Sequence, residues 1–102
     1  MANSLDIKVE KIDTTALVGI VGRIDTTTAP QLGEEVTKAM EGTEKLILDF
    51  AQVGYISSSG LRVLLSAQKT MNKQGSMVLK NVREEIMEIF DVTGFADILT
   101  IE

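Results

Sequence analysis

The chain has 102 residues, enough for one compact domain with a real core and too few for two. It contains neither cysteine nor histidine, which excludes disulfides, thiolate chemistry and the commonest general base and metal ligand. Asp and Glu number 15 against 10 Lys and Arg, and the resulting charge of -5 argues against a nucleic-acid partner.

No apolar run approaches the length of a membrane span, and the N-terminus lacks the apolar core of a signal peptide. A cytoplasmic protein with no membrane partner is therefore expected. In chain order, Leu5, Ile7 and Val9 alternate with polar residues, the period of a strand buried on one face. Thr15 to Val21 is nearly continuous apolar sequence and predicts a more central strand. Thr28-Ala29-Pro30-Gln31 has the spacing of a capping box with proline in the first turn, and Leu32, Val36 and Met40 continue it as a helix.

Lys45 to Phe50 predicts the next strand. Leu61, Leu64, Leu65, Gln68 and Met71 mark one face of a second helix, closed by Gly75. Ser76 to Leu79 is a short strand, and Asn81 to Glu84 repeats the capping-box pattern before a helix carrying Ile86, Ile89 and Phe90 that stops near Gly94. Ile98 to Ile101 is a weaker fifth strand candidate. The order β-β-α-β-α-β-α-β predicts an α/β fold with right-handed crossovers and a mostly parallel sheet.

Chemistry concentrates in Tyr55-Ile56-Ser57-Ser58-Ser59-Gly60-Leu61-Arg62, between a buried strand and a helix. A helix N-terminus offers unpaired N–H groups and the positive end of the macrodipole, so phosphate is accepted well there. One of the serines is needed as the N-cap, a role serine fills commonly. Three in a row exceed what capping requires. A nucleophilic serine needs a base, and with histidine absent only a lysine such as Lys69 remains; the G-x-S-x-G elbow is also missing.

No nucleotide-binding loop or kinase motif is present, so phosphate on a serine has to be delivered by another protein. The chain reads as a non-enzyme without metal or cofactor; its helix acids show no ligand spacing. Gly22-Arg23-Ile24-Asp25 follows the central strand. Two readings stay open for Asp25: a local Asx turn, or a place beside the serines in the crevice beyond the strands' carboxyl ends.

On these residues the chain resembles the anti-sigma-factor antagonists, small bacterial proteins built on a STAS domain. The resemblance runs through GRIDTTTAPQL, LILDFAQVGYISSSGLRVLL and NVREEIMEIFDVTGFADILTIE, essentially the whole length. It implies one STAS-like α/β domain over residues 1–102, with a mixed sheet of four or five strands flanked by three or four helices. The family carries Asp-Ser-Ser/Thr-Gly at this loop, with the first serine phosphorylated. Matching the motif glycine to Gly60 puts that residue at Ser58, with Ser59 following and Ser57 standing where the family often has Asp.

The resemblance further implies partner switching. The unphosphorylated protein binds an anti-sigma factor that is also a serine kinase, phosphorylation breaks the complex, and a serine phosphatase resets it. Asp25, Ser57, Ser58, Ser59, Gly60 and Arg62 are the expected partner-binding residues, and a monomer is expected. Two alternatives are a STAS scaffold binding another signalling or transporter partner without a phospho-switch, and a small hydrolase using the serine loop.

Overall fold

The structure, a computed structural model, describes residues 4–102. Strand β1 (Asp6–Ile12) and strand β2 (Thr15–Ile24) form an antiparallel hairpin, turned at Asp13 with φ 56°. Helix α1 (Ala29–Met40) leads to β3 (Lys45–Ile56), α2 (Ser58–Gln74) to β4 (Ser76–Lys80), and α3 (Glu84–Thr93) to a 3₁₀ turn at Phe95–Asp97. The four strands lie in the order β1-β2-β3-β4, with β2, β3 and β4 mutually parallel.

Alternation along the strands decides which face is covered. Ala16, Val18 and Ile20 of β2 join Leu46, Leu48 and Phe50 of β3 and Met77 and Leu79 of β4 in one buried cluster. Leu32 and Val36 of α1, Leu64 and Met71 of α2, and Ile86 and Phe90 of α3 complete it. The intervening Leu17 and Val21 stay 41% and 47% exposed, so the helices cover one face of the sheet and leave the other open. The Phe50 and Phe90 rings meet at 6.5 Å between centroids, tilted by 57°, within the range of favourable aromatic pairs.

β2 and β3 both run further than their apolar patterns predict. The register shifts between the Gly19–Asp49 and Val21–Gln52 pairs, and again between Gly22–Val53 and Arg23–Tyr55. Each irregularity resets the alternation, so Phe50, Val53 and Ile56 all point into the core although three residues apart. Asp49 anchors the first, accepting from the Ala51 N–H at 3.0 Å and from Asn81 Nδ2 at 3.1 Å. Gly22 to Ile24, beyond the Thr15 to Val21 run from which the strand is read, is therefore strand as well.

Three local expectations are corrected. The Thr28–Gln31 capping box does not form: Gln31 instead clamps the Leu5 backbone, accepting from its N–H at 2.9 Å and donating to its carbonyl at 2.8 Å. Asn81 to Glu84 makes no capping box either, because Arg83 is the N-cap and Asn81 turns to Asp49. Ile98 to Ile101 is not a strand. The backbone there winds back on Phe95, Leu99 plugs the core, and only one bridge, Leu79 to Ile101, continues the sheet.

Gly94, at φ 83°, ends α3 in the left-handed conformation that glycine adopts without steric cost, as its position predicts. No helix among the described residues is long and apolar enough to cross a membrane. Phe90→Ala should remove the ring that closes the core over Phe50, costing about 3–5 kcal/mol by cavity formation. Urea unfolding of the variant measures it.

Candidate functional site

Parallel β2 and β3 end side by side, at Ile24 and Ile56, and the loops that follow them emerge together. The Ser57 N–H donates to the Ile24 carbonyl at 2.8 Å, tying the serine loop to the Asp25 loop. The two loops thus lie together at one sheet edge, as one of the two readings left open for Asp25 requires.

Ser57 is the N-cap of α2. Its backbone is extended, with φ −93° and ψ 174°, and its Oγ accepts from the Gly60 N–H at 3.3 Å. Ser58 and Ser59 are the first two helical residues; Ser58 is exposed and Ser59 half-buried. Their hydroxyls bond no group among the described residues, whereas Ser57 is committed to its cap. The first turn of this 17-residue helix carries no acid, so nothing covalent offsets the positive end of its dipole.

Gly60 explains itself by packing. A Cβ there would stand 2.5 Å from Ile24 Cγ2 and 2.7 Å from Ile56 Cγ1, closer than side-chain carbons tolerate. Both isoleucines are buried and β-branched, so neither swings away easily. Arg62 lies on the exposed side of α2, one turn beyond Ser58.

Asp25 builds the neighbouring loop. Its Oδ1 accepts from the Thr27 N–H at 2.9 Å, the Thr27 hydroxyl at 2.7 Å and the Thr28 N–H at 3.0 Å. Thr28, almost wholly buried, returns the favour: its hydroxyl accepts from the Asp25 N–H at 2.8 Å and donates to the Arg23 carbonyl at 2.7 Å. Both readings of Asp25 thus hold geometrically, since it forms the Asx turn and stands beside the serine loop. The Thr27 hydroxyl does most to hold its carboxyl below the ordinary aspartate value; burial opposes it, and the Thr28 and Thr27 N–H groups and the Thr28 hydroxyl add to the lowering.

Arg23 and Tyr55 were not legible as site residues. They are register partners at the ends of β2 and β3, and the Arg23 guanidinium carbon lies 4.1 Å from the Tyr55 ring centroid, a cation–π stack. Arg23 Nε also stands 3.7 Å from Asp25 Oδ2. The signal available in the sequence was positional: each residue directly precedes the last residue of its strand.

The open N–H groups and the dipole at the start of α2 suit this edge to accepting an anion. Lys69 is eleven residues along α2 from Ser58, about 16 Å at 1.5 Å rise per residue, so it cannot serve as the serine's base. No cluster of metal-ligating side chains occurs among the described residues.

Gly60→Ala should lower stability by about 1–3 kcal/mol through overpacking against Ile24 and Ile56, measured by chemical unfolding. The Asp25 bonds stabilise the loop fully above the unfolded carboxyl value of 3.8 and are lost as pH falls through the lower folded value. An NMR titration should therefore find the Asp25 midpoint below 3.8; a midpoint above it would contradict the hydrogen bonding described.

The STAS domain family matches residues 6–102. The anti-sigma-B factor antagonist of Bacillus subtilis (strain 168) is 33% identical over 99 residues, covering 96% of this chain and 91% of that protein. The crystal structure of an anti-sigma factor antagonist from Mycobacterium paratuberculosis superposes with a TM-score of 0.85 at 21% identity, over 95% of this chain and 84% of that one. SpoIIAA, a Bacillus cell fate determinant solved in the phosphorylated form, superposes at 0.73 with 17% identity, over 95% and 91%. The chain belongs to the STAS-domain family, among the anti-sigma-factor antagonists.

Proposed function

We propose that this protein is an anti-sigma-factor antagonist that works by partner switching, with Ser58 as its phosphoacceptor. The observation that carries the reading is the division of labour in the serine loop. Ser57 caps the helix, Gly60 packs against the sheet, and Ser58 alone combines an exposed hydroxyl with a first-turn position beside the Asp25 loop.

In its unphosphorylated form the protein binds an anti-sigma factor that is also a serine kinase, which frees the sigma factor. Ser58 Oγ then attacks the γ-phosphorus of ATP held by the kinase. The new Oγ–P bond replaces the bond to ADP, and the kinase takes the hydroxyl proton. Hydrolysis of the phosphoserine by a serine phosphatase restores the hydroxyl.

The fold tolerates the modified residue and the interface does not. Phosphate adds about −1.5 to −2 charges at neutral pH. At the start of α2 that charge meets open N–H groups and a favourable dipole, so the monomer keeps its structure. Enclosing the same dianion in an interface without matched cations costs several kcal/mol, and each 1.4 kcal/mol is tenfold in affinity. Ser57 in place of the family's frequent Asp keeps the cap, because both residues rank among the best N-caps. It also spares the phosphoserine a neighbouring carboxylate.

Ser58→Asp should lose kinase binding by at least tenfold while retaining its circular dichroism and melting curve. Ser58→Ala should bind the kinase and accept no phosphate, read by calorimetry and mass spectrometry of the protein with its co-purified kinase. Tight binding by Ser58→Asp, or phosphate on Ser58→Ala, overturns the assignment.

A further inference from the structure

Helices α1 and α2 pack side by side and leave a groove of about 220 Å³ between them, lined by Gly33, Val36 and Met40 on one wall and Arg62, Val63 and Ala67 on the other. That volume falls below the roughly 300–1,000 Å³ of typical small-molecule sites. It suits an inserted side chain rather than a ligand.

The groove is kept open by a glycine the fold does not require. Gly33 sits inside α1, where glycine is disfavoured relative to alanine. A Cβ at this position would meet only Val63 Cγ2, at 3.7 Å, an ordinary contact, and its backbone is not left-handed. Packing therefore demands a glycine at Gly60 and not at Gly33. What the missing side chain does is leave the groove empty.

The groove also continues the phosphoacceptor surface. Ser58, Arg62 and Ser66 recur every fourth residue along the exposed side of α2, one stripe running from the serine to the groove wall. Arg62 is the one charged side chain lining the groove, and it has no ion-pair partner among the described residues. A protein seated over Ser58 covers Arg62 and arrives at the groove within about two helical turns.

We propose that this groove receives an apolar side chain of the kinase, flanked by a carboxylate that pairs with Arg62. This rests on the antagonist reading above and deepens it by naming a second contact. The occupant's chemistry follows from the lining: an apolar floor, one unpaired cation and no acid. A second copy of this chain is opposed by the repulsion between two molecules of charge -5.

The test compares the wild-type protein with Gly33→Leu, which plugs the groove, Arg62→Glu, which reverses its charge, and Lys8→Glu, an exposed control on β1, away from the helices. Each is titrated with the co-purified kinase, alongside melting curves, size exclusion and phosphate incorporation. The expected result is a Kd weakened tenfold or more for Gly33→Leu and Arg62→Glu, within twofold of wild type for Lys8→Glu, and no lowered melting midpoint for Gly33→Leu. If wild type binds and is phosphorylated while both groove variants bind within threefold of it, the groove contact is overturned and the antagonist reading stands. If wild type neither binds nor accepts phosphate, both fall. A groove variant that acts only by converting a dimer of this chain to monomer also overturns the proposal.

Discussion

The contact of Gly60 with Ile24 and Ile56 sets the geometry of the functional edge. Two parallel strands end at adjacent buried isoleucines, and the first turn of α2 lies directly on them. Only a residue without Cβ permits that approach. Because the helix start is pressed onto the strand ends, the Ser57 N–H reaches the Ile24 carbonyl and the Ser57 hydroxyl reaches back to Gly60. Ser58 is then turned outward. Lifting the helix by the width of a methyl group would loosen all of these together.

From that constraint follows the electrostatic character of the edge. The loop after β2 holds its negative charge in place, with Asp25 Oδ1 accepting from the Thr27 and Thr28 donors. The loop after β3 holds none, and the dipole of α2 emerges there without a compensating acid. Arg23, stacked on Tyr55 and close to Asp25, stands where the two strands end. The edge therefore presents a hydrogen-bonded carboxylate, a guanidinium stacked on Tyr55 and the exposed Ser58 hydroxyl. Charge added at such a hydroxyl changes the surface with no need for the domain to refold.

Much of the fold was legible because hydrophobic periods survive in short segments. The strands at Thr15, Lys45 and Ser76 and all three helices stand where those periods place them. Most failures share one cause. Gln31, Asn81 and Ile98 to Ile101 carry patterns whose local meaning was overridden by distant partners: Leu5 for the glutamine, Asp49 for the asparagine, and the core for Leu99. Thr28 was instead taken up by the preceding turn, bonding Arg23 and Asp25 rather than capping its helix. A side chain that can bond its own turn can equally bond another element. The strand extensions were hidden for a related reason, since a bulge breaks the period from which a strand is read.

By itself, the sequence determined the chemical limits of the protein. It contains no histidine, cysteine or nucleotide loop, and it concentrates three serines before a helix, where a phosphate is well accommodated. Its resemblance to the antagonist family made Ser58 the expected site, by register with Gly60. Tertiary structure alone decided why the register holds, through the clash a side chain at Gly60 would make with Ile24, a residue 36 positions earlier. It alone brought Arg23 over Tyr55 and opened the groove beside Gly33. Those arrangements depend on which strands and helices become neighbours, and spacing along one segment carries no record of the distance to another.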